Sequence, residues 1–342
     1  MPATRIDVAR RAMVSVSTVS RVLNNSGYVS AEVRQRIEAA IKELNYVPNR
    51  AARSLRSQHY RQVACIGPSV SNLFYNDIVV GIEETALEYG YTLSWYHLTR
   101  ERIKDIHAIM KGFYDGIIFL APFDIEDLVD LADIARRTPT CLYSDRGKSY
   151  DIPYVFVDLR AAMRRNVEYL ISLGHEHILF LGHEFHDPTE NPRYQGYIDA
   201  LQAHGFSLRE ELVQLIPNHK DTISYGHDLV RGLVEKGVFF SAIAASNDSV
   251  AVGALRGLRE AELQVPEDVS VTGCDDIELA NLITPALTTI HIPRQEVGVK
   301  LMELLLGQIH NEHTGGKHVE LPTRMVIRES VSRNHRRQDR WR

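Results

Sequence analysis

Apolar positions recur at helical spacing through the opening stretch of the chain. Thr4 is placed to cap a helix over Arg5–Ala12, with Asp7 at its third position facing the positive helix end. Ile6, Val8, Ala9 and Ala12 supply its apolar stripe. After a break at Met13-Val14-Ser15, a second helix over Ser17–Leu23 turns Val19, Val22 and Leu23 inward and leaves Ser17, Thr18, Ser20 and Arg21 largely outward. Asn24-Asn25-Ser26-Gly27 stops it. Ser30 caps a third helix with Val33, Ile37, Ala40, Ile41 and Leu44 at helical spacing, and Pro48 ends that helix. Two short helices joined by a tight turn and braced by a third form a helix-turn-helix, whose second helix fits a major groove. The small polar residues and Arg on its outer face have nothing to bury, which argues against a mere scaffold of three helices.

From residue 61 the period changes. Short β-rich runs predict strands at Val63–Gly67, Thr92–Tyr96, Gly116–Leu120, Thr140–Tyr143, Val155–Asp158, Ile178–Gly182, Leu212–Ile216, Ala242–Ala245, Val269–Gly273, Thr288–His291 and Met325–Arg328. Amphipathic runs between them include Tyr75–Tyr89, Arg160–Leu173, Arg193–His204, Ser249–Ala261 and Arg294–Ile309. This alternation predicts an α/β core of two parallel-sheet lobes behind the all-α head. Asn49–Ser57 joins the two regions with helical propensity but only Ala51, Ala52 and Leu55 to bury. Alone it is too short for a stable helix, so it is either a segment that folds on DNA or a flexible linker.

Charge changes the picture. Residues 1–60 carry a net +6 and the last ten residues a net +4, so a total of −5 leaves −15 on the 272 residues between. A basic head on an acidic body suits a polyanion binder: phosphates attract the head, and the body is repelled and kept in solution. At 44% hydrophobic and 24% charged the composition is that of a globular protein with two or three domains. Cys65, Cys141 and Cys274 are too few and scattered for a disulfide scaffold and read as buried packing residues. No run approaches the ~18 apolar residues of a membrane span, and the first residues lack the apolar core of a secretory signal, so a cytoplasmic protein with no membrane partner is expected.

In doubly wound sheets, ligands bind beyond the carboxyl ends of the strands. The residues there are Asn72, Phe74, Tyr75, His97, Phe123, Asp145, Arg146, His183, Glu184, Arg193, Asn247, Asp248, Asp275 and Asp276. Aromatic faces mixed with carboxylates, an amide and Arg suit a polyhydroxylated ring. Asp248 and Asp276 have helix capping as an alternative role, and Asp145-Arg146 an internal ion pair. Signals for catalysis are poor: the chain has no phosphate-binding Gly-rich loop with Lys-Ser/Thr, no G-x-S-x-G and no G-x-G-x-x-G. His183-Glu184-Phe185-His186 has the wrong spacing for a zinc helix, and His175-Glu176-His177 reads as structural. No enzyme activity, cofactor or metal is expected.

The stretch IDVARRAMVSVSTVSRVLNNSGYVSAEVRQRIEAAIKELNYVPNRAARSLRS closely resembles the N-terminal segment of the LacI-type (lactose repressor) family of bacterial transcription regulators, and segments of that family's effector-binding core recur through residue 330. The resemblance implies a helix-turn-helix domain at 1–46, a hinge helix or linker at 47–60, a periplasmic-binding-protein-like, two-lobed effector-binding and dimerisation domain at 61–332, and a basic tail at 333–342. It implies three crossings between lobes, near 158–160, 286–291 and 318–323. Val16, Ser17, Thr18 and Arg21 would face base edges, and Ser15, Ser20 and Asn24 would hold phosphates, with Thr4 and Asn49 also on the DNA side. Leu55 would wedge a minor-groove base step beside Ala52, with Arg53 and Arg56 near phosphates. Phe74, Tyr75, Asp145, Arg193, Asn247 and Asp275 would line the effector site.

Two departures stand out. Met13 occupies a turn position where the family usually has Gly, so either the turn is reshaped or the head loses about 1 kcal/mol of stability. Leu159 replaces an Asn after Asp158, at the pocket wall or the lobe hinge. The expected function is a repressor, working as a homodimer or higher oligomer on double-stranded operator DNA, whose affinity a small-molecule effector, a sugar, lowers from the cleft. The alternatives are a purine- or other metabolite-responsive regulator with a corepressor, and a sugar-binding protein with no gene-regulatory role.

Overall fold

The computed structural model describes residues 3–23, 26–46, 59–69, 72–98, 100–121, 125–146, 151–184, 190–217, 222–311 and 318–334. The chain divides into two compact units, Met1–Tyr60 and Arg61–Arg342.

The first unit holds α1 (Arg5–Ala12), α2 (Val16–Leu23) and α3 (Ala31–Glu43). Thr4 caps α1 in a reciprocal box with Asp7: Thr4 Oγ1 accepts from the Asp7 amide at 3.3 Å, and Asp7 Oδ2 accepts from the Thr4 amide at 2.9 Å. Ser30 caps α3 through the Val33 amide. Val8, Ala9, Ala12, Val19, Val22, Ile37, Ala40 and Tyr46 form the core. Ile6, expected in the apolar stripe, is instead 58% exposed. Its position, two residues before Val8, puts it about 200° around the helix from the buried face. Met13 takes the left-handed conformation (φ 53°, ψ 49°) that closes α1, so the turn keeps the shape that favours glycine and Met13 bears the strain.

The second unit has two lobes. The first carries β1 (Gln62–Gly67), β2 (Thr92–His97), β3 (Gly116–Phe119), β4 (Thr140–Ser144) and β5 (Tyr154–Phe156), joined at one edge by β11 (His318–Glu320) in the order β11-β5-β4-β3-β1-β2, all parallel. The second carries β6 (Ile178–His183), β7 (Val213–Ile216), β8 (Ala242–Ala245) and β9 (Ser270–Thr272) in the parallel order β7-β6-β8-β9. β1, β3, β4 and β8 are almost wholly buried, as parallel strands covered on both faces must be. Helices α4 (Leu73–Glu88), α5 (Ile106–Met110), α6 (Leu131–Arg137), α7 (Leu159–Ser172), α8 (Pro192–Ala203), α9 (Thr222–Glu235), α10 (Asp248–Glu260), α11 (Glu278–Leu282) and α12 (Arg294–Ile309) complete it.

Two of the expected strands belong to neither parallel sheet. β10 (Thr289–His291) and β12 (Arg324–Val326) pair antiparallel in a separate ladder, because both lie in chain passing between lobes. β11, only three residues with two exposed, is too short and polar to be read from alternation. The crossings fall between β5 and α7, between β10 and α12, and between β11 and β12, the second slightly later than expected. Leu159 is fully buried at the start of α7, where Asp158 caps the helix by accepting from the Ala161 amide at 2.8 Å, so the departure at 159 adds apolar core at the first crossing. α4 and α12 approach so closely that a Cβ on Gly81 would strike the Gln295 carbonyl and one on Gly298 the Ile78 carbonyl.

Candidate functional site

In the head, α2 starts one residue earlier than its apolar pattern predicts, because Ser15 caps it. The Ser15 hydroxyl accepts from the Thr18 amide at 3.1 Å and lies 2.7 Å from Ser17 Oγ and 2.8 Å from Thr18 Oγ1. The Ser15 hydroxyl thus begins the helix. Val16, Ser17 and Arg21 are exposed, Thr18 and Ser20 are half-buried, and Val19 and Val22 are buried beneath them. Arg5 Nη1 reaches Ser20 Oγ at 3.5 Å, tying α1 to α2. Arg21 has no acidic partner among the described residues, so its guanidinium is available to a base edge or a phosphate. Thr4 is exposed, with its hydroxyl engaged by Asp7. Among the described residues of this unit, the large apolar side chains left in water are Ile6, whose place in the stripe predicts the inward face, Met13, Val16 and the 90%-exposed Tyr28 of the loop before α3. Asn24, Asn49, Ala52, Arg53, Leu55 and Arg56 lie outside the described residues.

In the second unit, Asp145 follows β4 on one lobe, and Arg193 and Asp275 sit on the other. Local chemistry aims Arg193. Asn191 Oδ1 accepts from the amides of Arg193 and Tyr194, both at 3.1 Å, Pro192 opens α8, and Asn191 Nδ2 donates to the His183 carbonyl at 3.0 Å. The guanidinium then spans the lobes. Its Nη1 lies 3.7 Å from Asp145 Oδ2 and its Nη2 3.6 Å from Asp275 Oδ1. These are ion pairs longer than hydrogen bonds. Asp145 Oδ1, Asp275 Oδ1, Arg193 Nε and Tyr143 Oη are buried with no protein hydrogen-bond partner. Each such group costs about 1–3 kcal/mol. The set offers two carboxyl groups, a donor fork and a phenol, which suits vicinal hydroxyls.

Burial dominates the electrostatics. It pushes the Asp275 carboxyl up to about 8 against the opposing pull of Arg193, and it raises Asp145 and Tyr143 as well. Burial, then the positive Arg193, drives the His183 imidazole down to about 4. Asp275 has φ 139° and Asp276 φ 58°, so the turn bearing the acidic group holds two non-glycine residues at positive φ. Such residues cost on the order of 1–3 kcal/mol each. Fully buried Asp248 supports the turn from below: Oδ2 accepts from the Ile277 amide at 2.9 Å and Oδ1 from Thr289 Oγ1 at 2.5 Å.

The other expected cleft residues sort by their partners. Phe74 and Tyr75 are buried edge to face at 5.0 Å, with Phe74 also 6.0 Å from the Tyr143 ring. Asn72 caps α4 through the Phe74 amide, and Asn247 caps α10 through the Val250 amide, leaving the Asn247 NH2 for a ligand. Asp145 and Arg146 do not pair with each other by contact. Arg146 Nη1 donates instead to Glu190 Oε2 at 2.9 Å, a second bridge between lobes. Asp276 is bound to Arg328 at 2.6 Å and His291 at 2.9 Å, an internal network and not a free ligand group. His97 and Glu184 are exposed, and Phe123 lies outside the described residues. His175 is buried between Ser241 Oγ and the Ser332 carbonyl, each at 3.0 Å. Tyr143 and Arg294 were missed. Tyr143 lies inside β4 and not after it, and Arg294, three residues past β10, reads from its spacing as the first residue of an amphipathic helix.

A small apolar cavity beside Ile66, Gly67, Leu98 and Phe119 has no room for a sugar ring. Arg193 and Arg146 both bridge the lobes at this polar set.

Comparison with known proteins bears on both units. Residues 6–49 match the family model described as bacterial regulatory proteins, lacI family, and residues 167–331 match that of a periplasmic binding protein-like domain. The chain is similar to the ribose operon repressor of Halalkalibacterium halodurans, 31% identical over 95% of this chain and 96% of the relative. Among solved structures it resembles the lac repressor dimer bound to operator and the anti-inducer ONPF, with TM-score 0.85, 28% identity and coverage of 97% of this chain and 100% of that one. It also resembles the complex of the transcriptional regulator CelR with cellobiose, with TM-score 0.70, 28% identity and coverage of 96% and 99%.

Proposed function

The chain belongs to the lacI family of bacterial regulatory proteins, and we propose that it is a sugar-responsive transcriptional repressor acting as a homodimer on operator DNA. It is a binding protein and not a catalyst, and an operator places its work in the cytoplasm. Two heads take the half-sites of a near-palindromic operator, with α2 in the major groove and the 47–60 segments between them. On α2, Arg21 pairs with a base edge, Ser17 and Thr18 reach either partner, and Val16 meets a thymine methyl. The row Leu73, Val80 and Leu87 on α4, exposed at intervals of seven, supports pairing of two copies along that helix.

The effector is a sugar held by Asp145, Arg193, Asp275, Tyr143 and the Asn247 amide against the Phe74–Tyr75 pair. The observation that carries this reading is the buried Asp145–Arg193–Asp275 set with its unpartnered polar atoms. Hydroxyls that satisfy those atoms bind one lobe arrangement more tightly than the other, which is what coupling to the head requires. The named relatives, a ribose operon repressor and a regulator bound to cellobiose, support a sugar over a nucleobase. In the test, duplexes selected from a random pool by the full chain are titrated at rising salt with and without ribose, cellobiose and other neutral sugars, and with hypoxanthine. A steep salt dependence with release by one sugar is expected. Absence of any sequence preference, or tighter binding with the nucleobase alone, would refute the reading.

A further inference from the structure

We propose that Arg294 is a positioning residue that fastens the effector turn at Asp275-Asp276 to the outer face of α4, so that the cleft and that face shift together. The proposal rests on the reading of Asp275 as an effector ligand. Arg294 opens α12 and is only 6% exposed. Its Nη1 donates to the Asp275 carbonyl and its Nη2 to the Asp276 carbonyl at 3.2 Å. Its Nε and Nη2 converge on Asp77 Oδ2 at 3.1 and 2.6 Å. The turn belongs to the lobe of β6–β9, whereas α12 and Asp77 of α4 belong to the other.

Neutralising one charge would need one partner. Here the fork divides its donors among three acceptors on two lobes, a task its planar geometry suits and a lysine's does not. The turn it holds is the one with two non-glycine residues at positive φ, which relax when unbraced. Arg294 cannot move alone, because α12 is locked against α4 at Gly81 and Gly298, and the next residue, Gln295, donates to Glu84 on α4 at 2.9 Å. Asp77 and Glu84 lie between Leu73, Val80 and Leu87 on the exposed row. A ligand that draws on the Asp275 side chain therefore pulls a carbonyl hydrogen-bonded to the same guanidinium that holds Asp77 of α4.

The test uses the full chain with Asp77→Ala, Asp77→Asn and Arg294→Lys. Asp77 is half exposed, so its variants keep the core intact. Hydrogen exchange of the free protein is read at Asp275 and Ile277 and, as control, in β6 and β8. Asp77→Ala is expected to speed exchange in the turn at least tenfold with the strands unchanged. Asp77→Asn, which keeps an acceptor without the charge, falls between, and Arg294→Lys matches Asp77→Ala. Unchanged exchange in the turn, or a uniform rise that includes both strands, overturns the proposal. Ribose and cellobiose serve as probes of coupling: where either lowers operator affinity of the unaltered protein, Asp77→Ala should reduce that ratio at least threefold and change the sugar Kd less than twofold. An unchanged ratio also overturns it. Failure of the unaltered protein to respond to any sugar counts against the proposed function, and the exchange result stands apart from that.

Discussion

The head and the cleft hold their polar groups in opposite states. At the start of α2 the Ser15 hydroxyl engages those of Ser17 and Thr18, and Arg21 lies in water, so this exposed surface carries no unmet demand. In the cleft, Asp145, Arg193, Asp275 and Tyr143 are buried with atoms left unpartnered. The exposed face gains little from any one contact and depends on many phosphates, which makes its grip reversible and sensitive to salt. The buried set is costly until filled, so a small molecule can supply several kcal/mol there with few atoms. A device in which a small guest overrides a large interface needs that asymmetry.

The comparison breaks most sharply at Arg193. Arg193→Ala leaves two buried acidic groups without the cation they share, and sugar binding should weaken by about 100-fold or more, on the order of 3 kcal/mol, with operator binding retained. Isothermal titration with the responding sugar checks the first part and gel shift the second. Arg21→Ala probes the exposed side. Specificity should relax by about 1–3 kcal/mol at one base position with cleft binding unaltered, as read by competition among single-base operator variants. Loss of discrimination at every position would mean that Arg21 holds the fold and not a base.

Proton linkage sharpens the contrast further. The folded Asp275 carboxyl sits near 8, above its ordinary value near 3.8. Between those values the unfolded state ionises first, so this group's contribution to stability falls as pH rises from about 4 to 8 and is level beyond. Ligand hydroxyls that donate to the carboxylate favour its charged form. Sugar affinity should therefore rise by up to about tenfold per unit as pH climbs toward 8, with proton release on binding, and Asp275→Asn should flatten the profile. Affinity that falls over pH 6.5–8 would reverse the assignment of donor and acceptor. The smallest effect belongs to the head: Met13→Gly relieves the φ of 53° and should stabilise that unit by about 0.5–1 kcal/mol in thermal melting, without changing operator affinity.

Much of this was legible beforehand because it is local. Helix α1 begins and ends at Arg5 and Ala12 as expected, since Thr4, Asp7 and the spacing of Val8, Ala9 and Ala12 act within one or two turns. The cleft residues were legible as a set because doubly wound sheets gather strand ends together, whatever their order in sequence. Ile6 was misread because an apolar residue on a short helix need not face inward when a neighbouring pair fills the core. Tyr143 was passed over because it precedes a strand end, and only the roll of β4 shows its hydroxyl among the charges.

The sequence by itself determined the two-part plan, the caps, the helix periods and the charge separation, since each depends on residues a few positions apart. Only the tertiary structure decided partners: Arg193 between Asp145 and Asp275, Arg146 with Glu190 in place of Asp145, and Arg294 with Asp77, 217 residues away. Charge and hydrogen-bonding capacity are written in the residue type, but which opposite charge lies within 4 Å depends on how two lobes close, and three separate crossings of the chain set that.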